Sequence, residues 1–193
     1  MCRTVEDCAL VFNAIYGPDG RDDSVADAPF RWDPDVDPAR LRVGYLADEF
    51  DEPPVGASGE RQTTWARRRP TLGAALDVLR DAGVRLEPIT LPDFPVDALR
   101  IILSAESAAA FDDVTRDRGV DKLTQQTAGA WPNSFRSARF IPAVEYLRAQ
   151  RARTLLIERV DAAFATYDIV VSPTQSASLT VTNLTGHPAL AVK

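Results

Sequence analysis

The chain has 193 residues, of which 45% are hydrophobic, and its 22 basic and 28 acidic residues give a formal net charge of −6. A chain of this length buries roughly 70% of the surface that it exposes when unfolded, so we expect one domain, 1–193. The acidic balance argues against direct nucleic-acid binding, because a nucleic-acid footprint is basic. With no apolar run of 18 residues and no secretory leader, we expect a cytoplasmic protein without membrane contact.

Metal and disulfide chemistry find little support in the sequence. Cys2 and Cys8 lie six residues apart on one predicted helix, where we expect them not to bridge each other. Two thiols and the lone histidine, His187, make no zinc set. The seven aspartates of residues 19–38 lack the spacing of a calcium loop, which indicates a solvated connection. We therefore expect neither a metal nor another cofactor.

The first half of the chain predicts helices and strands in alternation. A helix follows Thr4, a good N-cap with Asp7 in capping-box position, and Gly17-Pro18 ends it. A strand over residues 41–46, a helix over 62–83 and a strand over 84–91 predict a parallel βαβ unit. Pro88 predicts that the second strand is an edge strand or a bulged strand. Ser58, in the glycine-containing loop 56–59, is interpreted as turn chemistry and not as a nucleophile.

The middle of the chain predicts further helices. Residues 96–113 are apolar nearly all round, which predicts a well-buried helix. Its carboxylate, Glu106, would then need a partner, and we expect an arginine and not a catalytic role. Residues 115–142 predict short helices and loops that could border a substrate cleft. Trp131 and Phe135 would either form a pocket wall or simply pack.

The longest predicted helix spans residues 142–164. Its apolar positions are Val144, Leu147, Leu155, Leu156, Val160 and Phe164, and they alternate with Arg148, Arg151, Arg153 and Arg159. An arginine in this pattern could hold a carboxylate bidentately, but arginine on a helix surface is usually solvated. The pattern predicts a core-facing helix with a charged outer face.

The last stretch, residues 165–193 (ATYDIVVSPTQSASLTVTNLTGHPALAVK), has the most function-like composition. Residues 168–171 form a β-branched run bounded by turn signals, which predicts a strand buried on both faces. Pro173 and Thr174 open a polar loop, and α/β proteins often carry ligand groups in such loops. A break at residues 186–188 leads into an apolar run, 189–192, that predicts another strand.

Four stretches together resemble the amidase-signature hydrolases, a family that includes bacterial amidases and the A subunit of the tRNA-dependent amidotransferase. They are residues 2–20 (CRTVEDCALVFNAIYGPDG), 41–46 (LRVGYL), 141–156 (IPAVEYLRAQRARTLL), and 167–174 together with 183–189. The resemblance implies an α/β fold with a mixed, largely parallel sheet and helices on both faces. Residues 1–193 would be a single partial domain, the C-terminal part of that fold, truncated at both ends.

The resemblance also implies a chemistry, in which a lysine is the base, one serine relays the proton and a second serine attacks an amide carbonyl. These three residues belong to family sequence that precedes the block matched by residues 2–20, and none maps onto this chain. Lys122 lies in a polar context and Lys193 is the last residue, so neither suits a desolvated base. His187, between Gly186 and Pro188, is expected to have a turn or helix-start role.

Two functional hypotheses follow. In the first, the chain is part of an amidase, inactive alone, whose residues Thr174, Asn183, Thr185 and Gly186 line the cleft for a small-molecule amide substrate. Asn183 and Thr185 could instead satisfy backbone groups in an irregular loop.

The second hypothesis is a non-catalytic assembly module that pairs with an N-terminal half, or an A-subunit-like piece of an amidotransferase. Between the two enzyme types, the net acidity and the sequence of residues 140–143 favour a general amidase. Tyr146 and Arg151 are helix-packing and cleft-wall candidates by resemblance.

Overall fold

Three short strands form the sheet of this protein, whose computed structural model describes residues 2–22, 25–53, 58–174 and 176–192. They are β1 (Val43–Leu46), β2 (Leu86–Ile89) and β3 (Ile169–Val171), in the spatial order β2–β1–β3. Both pairings are parallel, with Val43 opposite Leu86 on one side and opposite Ile169 on the other. The prediction of an α/β fold with a largely parallel sheet is therefore confirmed.

Helices make up most of the remaining described structure. The α-helices are α1 (Val5–Ile15), α2 (Ala47–Asp51), α3 (Glu60–Asp81), α4 (Arg100–Ala110), α5 (Asp112–Arg116), α6 (Trp131–Ala138), α7 (Ala143–Phe164) and α8 (Ala177–Thr185). Short 3-10 turns occur at Pro38–Arg40, Val96–Leu99 and Gly119–Lys122. No helix of the described ranges has both the length and the apolar character that crossing a membrane requires.

The described residues divide into two compact units, one drawn from residues 1–38 and 190–193 and the other from residues 39–189. In the first unit, α1 begins with the predicted capping box. The Asp7 amide donates to Thr4 Oγ1 at 3.0 Å and the Thr4 amide donates to Asp7 Oδ2 at 3.2 Å. The ring of Phe12 packs against Phe30 at a centroid distance of 5.0 Å. The assignment of a single domain stays a prediction.

The two cysteines correct one expectation. The sequence predicted both cysteines on one helix, but Cys2 precedes α1 and only Cys8 lies on it. Partial burial and a hydrogen bond to Cys2 raise the pKa of the Cys8 thiol. Both cysteines are free.

In the larger unit, β1, α3 and β2 form the predicted βαβ arrangement, and β1 is the central strand. β2 pairs only with β1 among the described strands, which suits Pro88 because proline cannot donate to a ladder. β3 likewise pairs only with β1 among them, and its first residue, Ile169, is exposed. The prediction that β3 is buried on both faces is wrong, since none of its three residues is fully buried. An apolar run cannot reveal which elements will pack over the two faces of its strand.

The core of this unit lies around α7. Leu156 and Val160 are 0% exposed and belong to a cluster with Leu99, Ile102, Ala149, Val181 and Leu184. Other apolar residues that were expected to share this face are exposed: Val144, Leu147 and Leu155. They follow a second stripe along the helix, so only part of the predicted apolar face is core.

Helix α4 also differs from its prediction. The segment begins as the 3-10 turn Val96–Leu99, and Leu103 is exposed, so the helix is not buried all round. Glu106 is exposed and accepts hydrogen bonds from Tyr146 Oη at 3.1 Å and Gln150 Nε2 at 3.2 Å. The expected arginine partner is absent among the described residues, because an exposed carboxylate does not require one.

Residues 189–192, predicted as a strand, are irregular and exposed. A short apolar run forms a strand only if a neighbouring strand pairs with it, and no described strand does so here.

Candidate functional site

A cleft of about 600 Å³ lies at the carboxyl ends of the three strands. Its lining includes Leu46, the last residue of β1, Ile89, the last residue of β2, and Pro173, which follows β3 closely. Parallel strands all present their carboxyl ends at one edge, and open α/β sheets bind ligands in the crevice outside that edge. This position makes the cleft the leading candidate for the functional site.

Helices α2, α3 and α8 supply the other walls of the cleft. Apolar lining comes from Leu46, Trp65, Leu72, Ile89 and Leu91, and carboxylates come from Asp48, Glu49, Glu52 and Glu60. The only cationic side chain of the lining among the described residues is Arg68 on α3. The lining therefore combines apolar contact surface with a few polar groups, as ligand sites usually do.

Thr174 is the predicted site residue that the fold places in this cleft. Arg68 Nη2 donates to Thr174 Oγ1 at 3.0 Å and to the Thr174 carbonyl oxygen at 3.3 Å. A hydroxyl that accepts from a guanidinium keeps its own proton available for another acceptor. Arg68 thereby holds the turn after β3 in place and leaves Thr174 able to donate.

Glu49 organises the start of α8, and nothing local in the sequence indicates this. Its Oε1 accepts from the Ser178 amide at 2.7 Å, and its Oε2 lies 2.9 Å from Ser178 Oγ and 2.7 Å from Ser176 Oγ. Ser176 is the N-cap residue but its hydroxyl makes no capping bond, so the carboxylate of α2 takes over that role. A carboxylate at a helix N-terminus is favourable because the N–H groups there lack intrahelical partners.

The predicted polar loop after Thr174 is largely helix α8, which corrects the sequence-based interpretation. Val181 and Leu184 are buried in the core around α7, while Asn183 is exposed on the outer side. Thr185 Oγ1 lies 3.0 Å from the Val181 carbonyl oxygen, one helical turn earlier. Apolar residues at three-residue spacing let this hydroxyl-rich stretch pack as an amphipathic helix.

Three of the four predicted site residues therefore lie away from the cleft lining. Asn183, Thr185 and Gly186 come at the far end of α8, roughly 10–15 Å along the helix from Ser176 at about 1.5 Å per residue. Gly186 ends α8 with φ of +80°, a left-handed conformation that glycine adopts without a steric penalty. The prediction grouped these residues because it treated the stretch as one loop.

His187 anchors the end of α8 to α7. Its Nδ1 lies 2.7 Å from Thr185 Oγ1 and its Nε2 lies 3.3 Å from Asp161 Oδ1. Its ring also packs edge-on against Phe164 at a centroid distance of 5.4 Å. None of these residues lines the cleft, so the predicted turn role of His187 agrees with this geometry.

The other candidates make structural contacts. Tyr146 donates to Glu106 and accepts from Gln150 Nε2 at 2.7 Å, which favours its packing interpretation. Arg151 is exposed, and neither residue lines the cleft. Lys122 is also exposed outside the lining, and Lys193 lies outside the described residues. In the loop 56–59, Gly56 and Ala57 are likewise outside the described residues.

Asp168 anchors the opposite, amino-terminal edge of the sheet. Its Oδ1 accepts from Arg42 Nη2 at 2.6 Å, and its Oδ2 accepts from the Arg42 amide at 2.9 Å. These hydrogen bonds lower the pKa of Asp168 to about 2, and the bond from the Arg42 side chain has the largest effect. The pair joins the starts of β1 and β3 and so helps to align the strands whose other ends form the cleft.

Comparisons with known proteins show which family the chain resembles. The family model described as Amidase matches residues 1–188. The A subunit of the mitochondrial glutamyl-tRNA(Gln) amidotransferase of Aedes aegypti is 28% identical over 200 residues, with 90% of this chain and 38% of the relative covered. The A subunit of the Roseiflexus sp. glutamyl-tRNA(Gln) amidotransferase is 29% identical with the same coverage.

A solved structure is similar as well. It is an inhibitor-bound chain described as "An unexpected vestigial protein complex reveals the evolutionary origins of an s-triazine catabolic enzyme", with a TM-score of 0.59 and 27% identity. The match covers 88% of this chain and 34% of that one. This chain thus spans well under half the length of the relatives it matches. With residues 1–188 matched by the family model, the chain belongs to the amidase family.

Proposed function

We propose that the cleft binds a small-molecule amide as part of an enzyme that hydrolyses or transfers amide groups. The observation that carries the proposal is the placement of Thr174 beside Arg68 in a cleft at the carboxyl edge of the sheet. The Thr174 proton makes no hydrogen bond to a described residue, so it can be donated to an amide carbonyl. Asn183, Thr185 and Gly186 would touch only a substrate that extends beyond this cleft along α8.

The same proposal holds that this chain does not supply the Ser–Ser–Lys machinery and is inactive alone. Ser176 lines the cleft, and it and nearby Ser178 are both hydrogen-bonded to Glu49. Lys122 is exposed and outside the cleft lining. A desolvated lysine base beside a serine, which this chemistry needs, is therefore missing from the described residues.

Direct binding tests the role of the cleft. Saturation-transfer NMR with propionamide and with glutamine is expected to show binding to the wild-type chain. Thr174→Val should weaken it about fivefold, the loss of one hydrogen bond of about 1 kcal/mol. Arg68→Ala should weaken it at least as much. Arg80→Ala, at the solvent-exposed end of the same helix, is the matched control and should bind normally.

Equal binding by Thr174→Val, Arg68→Ala and the wild type would disprove the assignment of the cleft. Ammonia release from the same amides tests the proposal that the chain is inactive alone. No hydrolysis is expected from the purified chain. Hydrolysis by the chain alone would show that it carries its own nucleophile.

The second candidate function is a non-catalytic assembly module, and the outer face of α7 favours it. Phe140, just before this helix, is 86% exposed, and Val144, Leu147 and Leu155 are exposed along it. Apolar side chains in such a row are typical of a surface that another polypeptide covers. The named relatives are themselves subunits of a glutamyl-tRNA(Gln) amidotransferase.

Sedimentation velocity tests this second candidate. The chain would be mixed with the part of the Deinococcus radiodurans A subunit that it does not match, since that relative is 27% identical over 196 residues. An assembly module should form a stoichiometric complex that Leu147→Ser weakens, and Arg148→Ser should leave it intact. Absence of any complex would rule out this partner.

A further inference from the structure

We propose that a second pocket in the larger unit binds an uncharged, flat aromatic group. The pocket has a volume of about 470 Å³ and lies among α4, α5 and α6. It is lined by Ser107, Phe111, Val114, Leu123, Trp131 and Phe135, and shares no residue with the cleft described above. The proposal therefore does not depend on the proposed amide-binding function.

Three aromatic rings in a nearly parallel ladder form one side of this pocket. The ring of Phe135 lies 4.9 Å from that of Phe111 with an interplanar angle of 25°, and 5.5 Å from that of Trp131 with an angle of 29°. Phe135, in the middle, is 6% exposed, but Phe111 and Trp131 are 48% and 53% exposed. Another ring can extend this ladder at the same offset spacing that aromatic pairs prefer.

The charge distribution around the pocket selects an uncharged occupant. Among the described residues, no lining side chain is charged, and the only side-chain polar group of the lining besides the Trp131 indole is the Ser107 hydroxyl. Asp112, next to Phe111, is paired with Arg116 and Arg139, and its pKa is lowered by the hydrogen bond from Arg116. Arg136, next to Phe135, is paired with Asp121. A charged ligand would lose hydration in the pocket without gaining an oppositely charged partner among the described lining side chains.

The size of the pocket points to a small molecule. Ligand pockets of about 300–1,000 Å³ are typical of small-molecule sites. Two fused rings with one amide substituent fit this volume, and the Ser107 hydroxyl offers a hydrogen bond to the substituent. The combination of ring ladder, neutral lining and single hydroxyl thus favours a neutral bicyclic or monocyclic aryl compound.

Calorimetric titration with four matched probes tests the proposal. 2-Naphthamide carries the predicted features, 2-naphthoate and 2-naphthamidine add a negative or positive charge, and decahydro-2-naphthamide removes the aromatic rings. We expect 2-naphthamide to bind at least about tenfold more tightly than each of the other three. In the 15N spectrum, the indole resonance of Trp131 should shift during the titration.

Variants at Trp131 assign the binding to this pocket. Trp131→Leu should weaken 2-naphthamide binding about tenfold, because it removes one ring of the ladder, and Trp131→Phe should stay within about threefold of the wild type. Arg80→Ala, outside the described lining of both pockets, should leave the affinity unchanged. Circular dichroism and thermal unfolding show whether each variant remains folded, and Phe111→Leu is a second variant for the same measurement.

Three results would overturn the proposal. The first is equal affinity for the charged or the saturated probe. The second is unchanged binding by both Trp131→Leu and Phe111→Leu. The third is a dimer, seen by sedimentation, that Trp131→Leu dissociates while 2-naphthamide does not bind, because the ladder would then be a contact between two copies of the chain.

Discussion

Single side chains in this protein act through partners that are distant in sequence. Asp168 pairs with Arg42, 126 positions away, and Glu49 contacts Ser178, 129 positions away. Most other ion pairs join neighbours three or four residues apart on helix surfaces, where such pairs contribute little. The long-range contacts are therefore the ones that hold the sheet and the cleft together.

Asp168→Asn should make the stability of the protein less dependent on pH. Hydrogen bonds from Arg42 lower the pKa of Asp168 from 3.8 to about 2 in the folded chain. Ionised Asp168 then stabilises the fold fully above the pKa of the unfolded chain, and this contribution disappears as the pH falls through about 2. Urea unfolding between pH 2 and pH 7 measures the free energy of unfolding of both proteins. The value for the wild type should exceed that for Asp168→Asn by a constant amount above about pH 5, and the difference should shrink towards pH 2. A pH-independent difference would contradict this account.

At the scale of elements, packing decides which residues of a helix face the core. Helix α7 illustrates the point, since Leu155 and Leu156 are sequence neighbours of the same residue type, 52% and 0% exposed respectively. Helix α8 follows the same logic: its polar sequence becomes helical because Val181 and Leu184 find a place against α7. The carboxylate of Glu49 then fixes where α8 begins.

Leu156→Ala and Leu155→Ala form a matched pair for the core. Leu156→Ala should lower the free energy of unfolding by about 2–5 kcal/mol, because it leaves a cavity in the cluster around α7. Leu155→Ala should change it by less than about 1 kcal/mol, since the side chain is already half in solvent. Denaturant unfolding of the two variants measures both effects, and similar losses would contradict the described core.

Glu49→Ala tests how α2 and α8 are joined. The change leaves the buried Ser178 without the carboxylate partner of its amide and hydroxyl, which should lower the free energy of unfolding by about 1–3 kcal/mol. Asp48→Ala, an exposed neighbour on the same short helix, is the control and should have little effect. In a double-mutant cycle, Glu49→Ala should lower the free energy of unfolding by less when Ser178→Ala is already present. Strictly additive effects of the two substitutions would show that the two residues do not interact.

At the scale of the whole molecule, charge and exposed apolar surface act against each other. The net charge of −6 at pH 7 favours repulsion between copies, while side chains such as Phe140 and Leu147 favour association. The charge is a property of composition and the exposure is a property of the fold. Because the net charge changes with pH, the repulsion between copies changes with pH as well, while the exposed apolar surface does not.

Solubility should therefore pass through a minimum near pH 4.8, where the net charge is zero. Light scattering at fixed protein concentration across pH 4–8 measures this. Phe140→Ser should reduce the scattering at the minimum without moving it, because the substitution removes exposed apolar surface and no charge. A minimum far from pH 4.8 would show that unequal charge distribution, and not net charge, controls association.

Sequence alone predicted the features that depend on near neighbours in the chain. The capping box of Thr4 and Asp7 and each element of the βαβ unit follow from the pattern of residues close together in the chain. Pro88 alone restricted β2 to an edge or a bulged strand, and the fold makes it an edge strand among the described strands. Thr174 could also be assigned to the cleft, because a residue that closely follows a parallel strand must emerge at its carboxyl edge. Backbone sterics, hydrogen-bonding capacity and apolar periodicity are local properties, so they can be read without a fold.

Only the tertiary structure decided which faces are covered and which distant groups meet. The polar stretch after Thr174 is a helix because α7 buries one side of it. Among the described strands, β3 lies at an edge and β1 at the centre. The Glu49 contacts to α8 and the aromatic ladder of Phe111, Phe135 and Trp131 join separate elements. Burial and long-range pairing depend on which surfaces the folded chain brings together, and the energies that select them appear only when the elements pack.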